Sequence, residues 1–202
     1  MPWGDLRHYY LCFLVASDII ILLFKEEARM NSTIKKMTVS AMFLALAFVL
    51  PFLTMQIPQF GAMLSPMHFP VFLCGYFCGW PWGLLVGCIA PLLRSLVLGM
   101  PIMFPMAICM AFELATYGAV AGYVYQVLPK KKANIFVSLV VAMVVGRIVW
   151  GIAMFACMGF DASKFGFSAF ISGSILNAIP GIILQVIIVP SLVMTLDKNP
   201  VK

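Results

Sequence analysis

The sequence predicts an all-α integral membrane protein, a bundle of six transmembrane helices, and three observations predict it. Of the 202 residues, 63% are hydrophobic and only 10% charged, and the mean hydropathy is +1.06. A soluble domain carries about a quarter of charged residues, and a core of this size cannot hide so much apolar surface from water. The apolar residues also run on for roughly 20 positions at a time, the length that crosses a hydrocarbon core, instead of alternating in the short segments of a barrel strand. Finally, the breaks between runs fall where Gly and Pro cluster.

Residues 1–29 read as an N-terminal extension. The apolar run from Tyr9 to Phe24 carries Asp18 at its centre and is followed by Lys25, Glu26, Glu27 and Arg29. It is short for a span, and a central carboxylate is costly in lipid. No small-residue cleavage pattern follows it, which disfavours a signal peptide. Met30 opens Met-Asn-Ser-Thr-Ile-Lys-Lys, a common beginning for a polytopic chain, so residues 1–29 are expected to be an over-extended start and residues 30–202 the six-helix domain.

Within that domain the expected spans are Met37 to Met55, Met67 to Gly79, Trp82 to Leu98, Ile102 to Val127, Asn134 to Met158 and Phe167 to Leu196. The second is short, and Pro91, Pro105, Pro180 and Pro190 interrupt others. Such breaks survive in membranes where neighbouring helices or a water-lined cavity satisfy the freed backbone groups. No internal repeat is visible, so an inverted-repeat transporter architecture finds no support in the residues.

The net charge of +6 does not point to nucleic acid, because the basic residues sit between apolar runs without interleaved aromatics. They set orientation instead. Lys35 and Lys36 precede span one, Lys130 to Lys132 follow span four, and Lys198 and Lys202 follow span six. With six spans all three clusters fall on one side, expected to be cytoplasmic, which puts both ends of the 30–202 region there.

Charged groups within spans cost several kcal/mol and are functional candidates by default. Three stand out: Arg94 in the outer third of span three, Glu113 near the middle of span four, and Arg147 in span five. His68 opens span two on the outer side, and Asn177 lies in the outer half of span six. All five can converge on one cavity open to the outside. Glu113 and Arg147 can equally neutralise each other as a pair that fixes helix register, which leaves the Arg94 guanidinium either for a carboxylate or phosphate on a ligand or for snorkelling to the outer headgroups, about a turn and a half away at the Gly99 break. Gln185, Tyr117 and Trp150 read as packing or helix-to-helix hydrogen bonding. Six cysteines lie almost wholly inside apolar runs and read as small hydrophobes. Cys74 and Cys78 can share a helix face, but without nearby His or carboxylate partners no metal site is expected.

Small residues at four-residue spacing, Gly75, Gly79, Gly83, Gly87 and then Gly118 and Gly122, mark close backbone packing, and span one carries Ala41-Met42-Phe43-Leu44-Ala45. Together with the run from Leu64 to Gly75, Pro91-Leu92-Leu93-Arg94-Ser95, Gly99-Met100-Pro101 and Phe112-Glu113-Leu114-Ala115-Thr116-Tyr117-Gly118, the chain resembles the substrate-binding S components of energy-coupling factor (ECF) vitamin importers over residues 30–202. The resemblance implies a small vitamin as substrate, taken up near the outer face, and a transmembrane T component and two ATPases as partners. Ala41 and Ala45 would form the docking face for the T component. No cofactor and no catalysis are implied, and the absence of a Gly-x-x-x-x-Gly-Lys-Ser/Thr loop excludes ATP hydrolysis by that route. The charge balance favours pantothenate or another small anionic vitamin, with riboflavin, a queuosine precursor or another neutral heterocycle as the alternative if Arg94 snorkels. A secondary transporter or channel that works without ATPase partners is the alternative.

Overall fold

The computed structural model describes residues 32–54, 66–129, 132–159 and 179–196. The expectations for residues 1–29, for the loops around Gln56 to Ser65 and Asp161 to Gly166, for Asn177 and for the basic residues Lys130, Lys131, Lys198 and Lys202 lie outside the described residues. The described elements are all helical. They are α1 (Ser32–Thr54), α2 (His68–Cys78), α3 (Trp80–Leu98), a π-helical turn (Met103–Ala107), α4 (Ile108–Val127), α5 (Lys132–Cys157) and α6 (Ile179–Leu196).

Six α-helices stand where six spans were expected, and four are long and apolar enough to cross a bilayer: Thr33–Pro51, Trp80–Leu98, Met103–Val127 and Lys132–Cys157. Helix α2 is not. Its 11 residues reach about 16 Å, roughly half of the ~30 Å hydrocarbon core. Every residue of α2 is buried, because it runs inside the bundle against α1, α3, α4 and α6. The sequence is apolar on all sides there for that reason, not because lipid surrounds it.

The prolines behave differently from the expectation that they interrupt spans. Pro91 and Pro190 lie inside continuous helices, as does Pro51 in α1. Each removes one intrahelical hydrogen bond, and a helix held on several sides by neighbours absorbs that loss. Pro105 does mark a break, for Phe104 is extended (φ −118°, ψ 131°) within the π turn. The predicted break over Gly79 to Gly83 shrinks to Gly79 alone, whose φ of 97° is available to glycine without strain. Trp80 and Pro81 belong to α3, with Pro81 in the first turn, where a missing N–H costs no helical bond.

Helix ends follow the same chemistry. Gly99 closes α3 in the left-handed conformation and donates its N–H to Ser95 O at 2.9 Å. Leu128 leaves α4 extended (φ −78°, ψ 147°) because Pro129 disfavours a helical residue before it. Asn134 then donates its side-chain amide to Pro129 O at 2.5 Å, tying the α4–α5 turn to the start of α5.

Glycines set how closely α2, α3 and α4 approach. A methyl group on Gly83 would come within 2.7 Å of Gly118 O, and one on Gly122 within 2.6 Å of Gly75 O; Gly87 abuts Leu114 in the same way. These contacts fix an antiparallel register in which Gly83 faces Gly118 and Gly87 faces Leu114. On α1, Val39, Phe43 and Ala47 point inward, with Phe43 stacked on Phe77 at 6.4 Å. Ala41 and Ala45, on the opposite face, are exposed.

Candidate functional site

Position i+4 on a helix returns to the same face, so Cys109, Glu113 and Tyr117 form one stripe on α4. The stripe faces α5, which presents Gly146, Arg147, Trp150 and Met154. The first residue of α2, His68, closes the third side. Glu113 is 2% exposed and His68 3% exposed. They meet near the middle of the 25-residue span Met103–Val127.

The Glu113 carboxylate is the centre of the group. Arg147 Nη1 lies 2.9 Å from Oε1, and the Tyr117 hydroxyl donates to the same oxygen at 2.7 Å. His68 Nε2 stands 4.0 Å from it. The aromatic rings fix the geometry further: His68 lies 5.4 Å from the Tyr117 ring at an interplanar angle of 51°, and Phe72 stacks on that ring at 5.0 Å. Gly146 leaves room for Tyr117 against α5, since a methyl group there would overlap ring atoms Cε1 and Cδ1. The Arg147 side chain is 19% exposed, against 3% for Glu113, so the guanidinium reaches from the buried carboxylate towards the edge of the packed interior.

Of the five residues singled out by sequence, the structure brings three together, His68, Glu113 and Arg147. Arg94 is placed by register. Two turns beyond Gly87 on the same face of α3, it is level with Ala107 at the π turn, whereas Glu113 is level with Cys88. Six residues of rise separate the two, about 9 Å along the bundle. Arg94 therefore stands nearer the end of the bundle at which α3 stops and α4 begins. Asn177 lies outside the described residues.

Tyr117 is the residue that sequence reasoning undervalued, since it read as packing. Its spacing from Glu113 carries the signal, for a phenol one turn from a buried carboxylate is a natural donor to it. The expectation that Glu113 and Arg147 pair is met, and the pair is hydrogen-bonded as well as charged.

The profile of the family described as ECF transporter, substrate-specific component, matches residues 35–193. The chain belongs to that family. No curated protein and no solved structure matches it. Family membership and the four apolar helices together make this chain a multi-pass membrane protein and the S component of an ECF transporter, a substrate-recognising subunit of a larger transport system.

Proposed function

We propose that this S component captures a small anionic vitamin or micronutrient, of the pantothenate type, from outside the cell and delivers it inward with a transmembrane T component and two ATPase subunits. The observation that carries the reading is the meeting of His68, Glu113, Tyr117 and Arg147 at mid-span, where polar groups are expensive unless they serve a purpose. The start of α2 lies among them. Helices that begin part-way through a membrane commonly present their positive N-terminal end to a substrate.

Charge supports an anion. Arg94, Glu113 and Arg147 sum to +1 with His68 counted neutral, and Glu113 is matched by Arg147. A carboxylate on the ligand would restore neutrality, with the Arg94 guanidinium as a fork that suits it. In this reading His68, Arg94, Glu113 and Arg147 contact the ligand, as does Asn177 on the strength of sequence alone.

The exposed face of α1 supports docking. Ala41 and Ala45 stand between exposed Met37 and Val49, and small residues at this spacing let a second helix approach closely. Orientation rests on the lysines. The Lys130 to Lys132 cluster precedes the positive end of α5, where a helix dipole disfavours cations, so it serves topology and not helix stability.

Mass spectrometry of ligand that copurifies with the protein tests the reading. A vitamin-sized carboxylate is expected, and an uncharged heterocycle would overturn the anionic assignment. Uptake that persists after deletion of the T component would overturn the energy-coupled mechanism.

A further inference from the structure

One turn from Glu113, towards the end where α4 begins, the seam between α4 and α5 changes character from charge to sulfur. Cys109 Sγ lies 3.7 Å from Cys157 Sγ and 3.8 Å from Met154 Sδ. Cys109 is fully buried, while Cys157 is only partly so, and Trp150 and Met158 close around the three sulfurs. Two thiols and a thioether from two helices thus converge.

We propose that Cys109, Met154 and Cys157 form a binding site for a soft, thiophilic d10 metal ion such as Cu(I) or Ag(I). Soft thiolate and thioether ligands select such ions over the hard cations that prefer oxygen. The two distances from Cys109, to Cys157 and to Met154, fit one shared ion. Sulfurs held about 2.3 Å from one metal ion stand about 3.8 to 4.0 Å from one another in tetrahedral or trigonal geometry. The ordinary alternative, apolar filling by soft side chains, explains burial but does not require three sulfurs to face each other.

The chemistry balances as a ligand exchange. Two S–H bonds release two protons and three metal–sulfur bonds form, two to thiolates and one to the neutral Met154 thioether, so a monovalent ion leaves one negative charge and no electron is transferred. Glu113, the carboxylate one turn away on the same face, is matched by Arg147. Entry runs through the partly exposed Cys157. A bound ion would cross-link α4 to α5 one turn from the ion pair.

The test uses the full chain in detergent, with Cu(I) delivered from a chromophoric competing chelator. Wild-type protein is expected to withdraw one ion per chain. Cys74→Ser/Cys78→Ser should retain binding, Cys109→Ser/Cys157→Ser should lose it, and Met154→Leu should weaken it about tenfold, the scale on which single supporting ligands act at metal sites. A second readout needs no variant: Ag(I) should protect the partly exposed Cys157 of the wild-type chain from alkylation by a maleimide, as mapped by peptide mass spectrometry. No withdrawal of Cu(I), undiminished binding by Cys109→Ser/Cys157→Ser, or a Cys157 alkylated equally with and without Ag(I) overturns the site. None of these results depends on the identity of the transported substrate.

Discussion

Gly146 of α5 lies so close to the ring of Tyr117 on α4 that any side chain at position 146 would overlap it. The absence of one methyl group is what allows Tyr117 to reach Glu113 at 2.7 Å while its ring stacks with Phe72. Gly146→Ala should therefore displace the ring and lower stability by about 1 to 3 kcal/mol, the cost of inserting volume into a packed interior. Thermal unfolding in detergent measures this. A melting temperature equal to wild type would show that the seam between α4 and α5 is looser than described.

The Glu113–Arg147 pair should be coupled, not additive. Glu113→Gln keeps the shape but leaves a guanidinium beside a neutral amide, at a cost of about 3 kcal/mol. That is the low end for a broken buried pair, because Arg147 is 19% exposed and so less confined than Glu113. Adding Arg147→Met should recover much of the loss. Two single losses that simply sum in the double variant would show that the ion pair holds no interaction energy.

How much of this was legible in the sequence depends on which physical signal each element carries. The helices were, because runs of apolar residues bounded by Gly99-Met100-Pro101 and Pro129 leave few other solutions in lipid. The role of α2 was less so: an all-apolar segment looks alike whether lipid or protein surrounds it, and only the structure shows that His68 to Cys78 is wrapped on every side. Pro91 and Pro190 misled for a related reason, since sequence shows the lost N–H but not the neighbours that hold the helix together. The charged triad was legible from cost alone. The convergence of Cys109, Met154 and Cys157 was not, because a cysteine on α4 has no sequence relation to the tenth residue beyond Arg147 on α5.

If Ala41 and Ala45 dock on a T component, a bulky replacement such as Ala45→Trp should leave ligand binding intact and abolish uptake. Both alanines face away from the core formed by Val39, Phe43 and Ala47, so the fold should tolerate the change while the partner helix could no longer approach. Parallel binding and uptake assays separate the outcomes. Lost binding with normal assembly would assign the motif to the interior of this chain.

Orientation is open to a direct test at the α4–α5 turn. If the basic cluster lies on the cytoplasmic side, as its lysines imply, a cysteine placed by Lys131→Cys should resist membrane-impermeant maleimide added to intact cells. Strong labelling from outside would invert the bundle and put the meeting point of α3 and α4 on the inner face.

In the proposed reading Arg94 selects the ligand. It stands about 9 Å along the bundle from Glu113, by the register that sets Gly87 against Leu114. That distance removes it from direct competition with Arg147 for the same carboxylate and places it nearer the end of the bundle, where on that reading an incoming anion would meet a guanidinium first. A hydrogen bond to a charged group contributes about 1.5 to 3 kcal/mol, so Arg94→Ala should weaken binding of a carboxylate vitamin by roughly 10- to 150-fold. Arg94→Lys should recover only part of the loss, because an ammonium offers no planar fork. Isothermal titration with pantothenate, and with its alcohol analogue as the uncharged control, reads both effects. Equal affinity of wild type and Arg94→Ala for the acid would remove Arg94 from the binding site and the anion from the proposal, while the place of this chain among the ECF S components would stand.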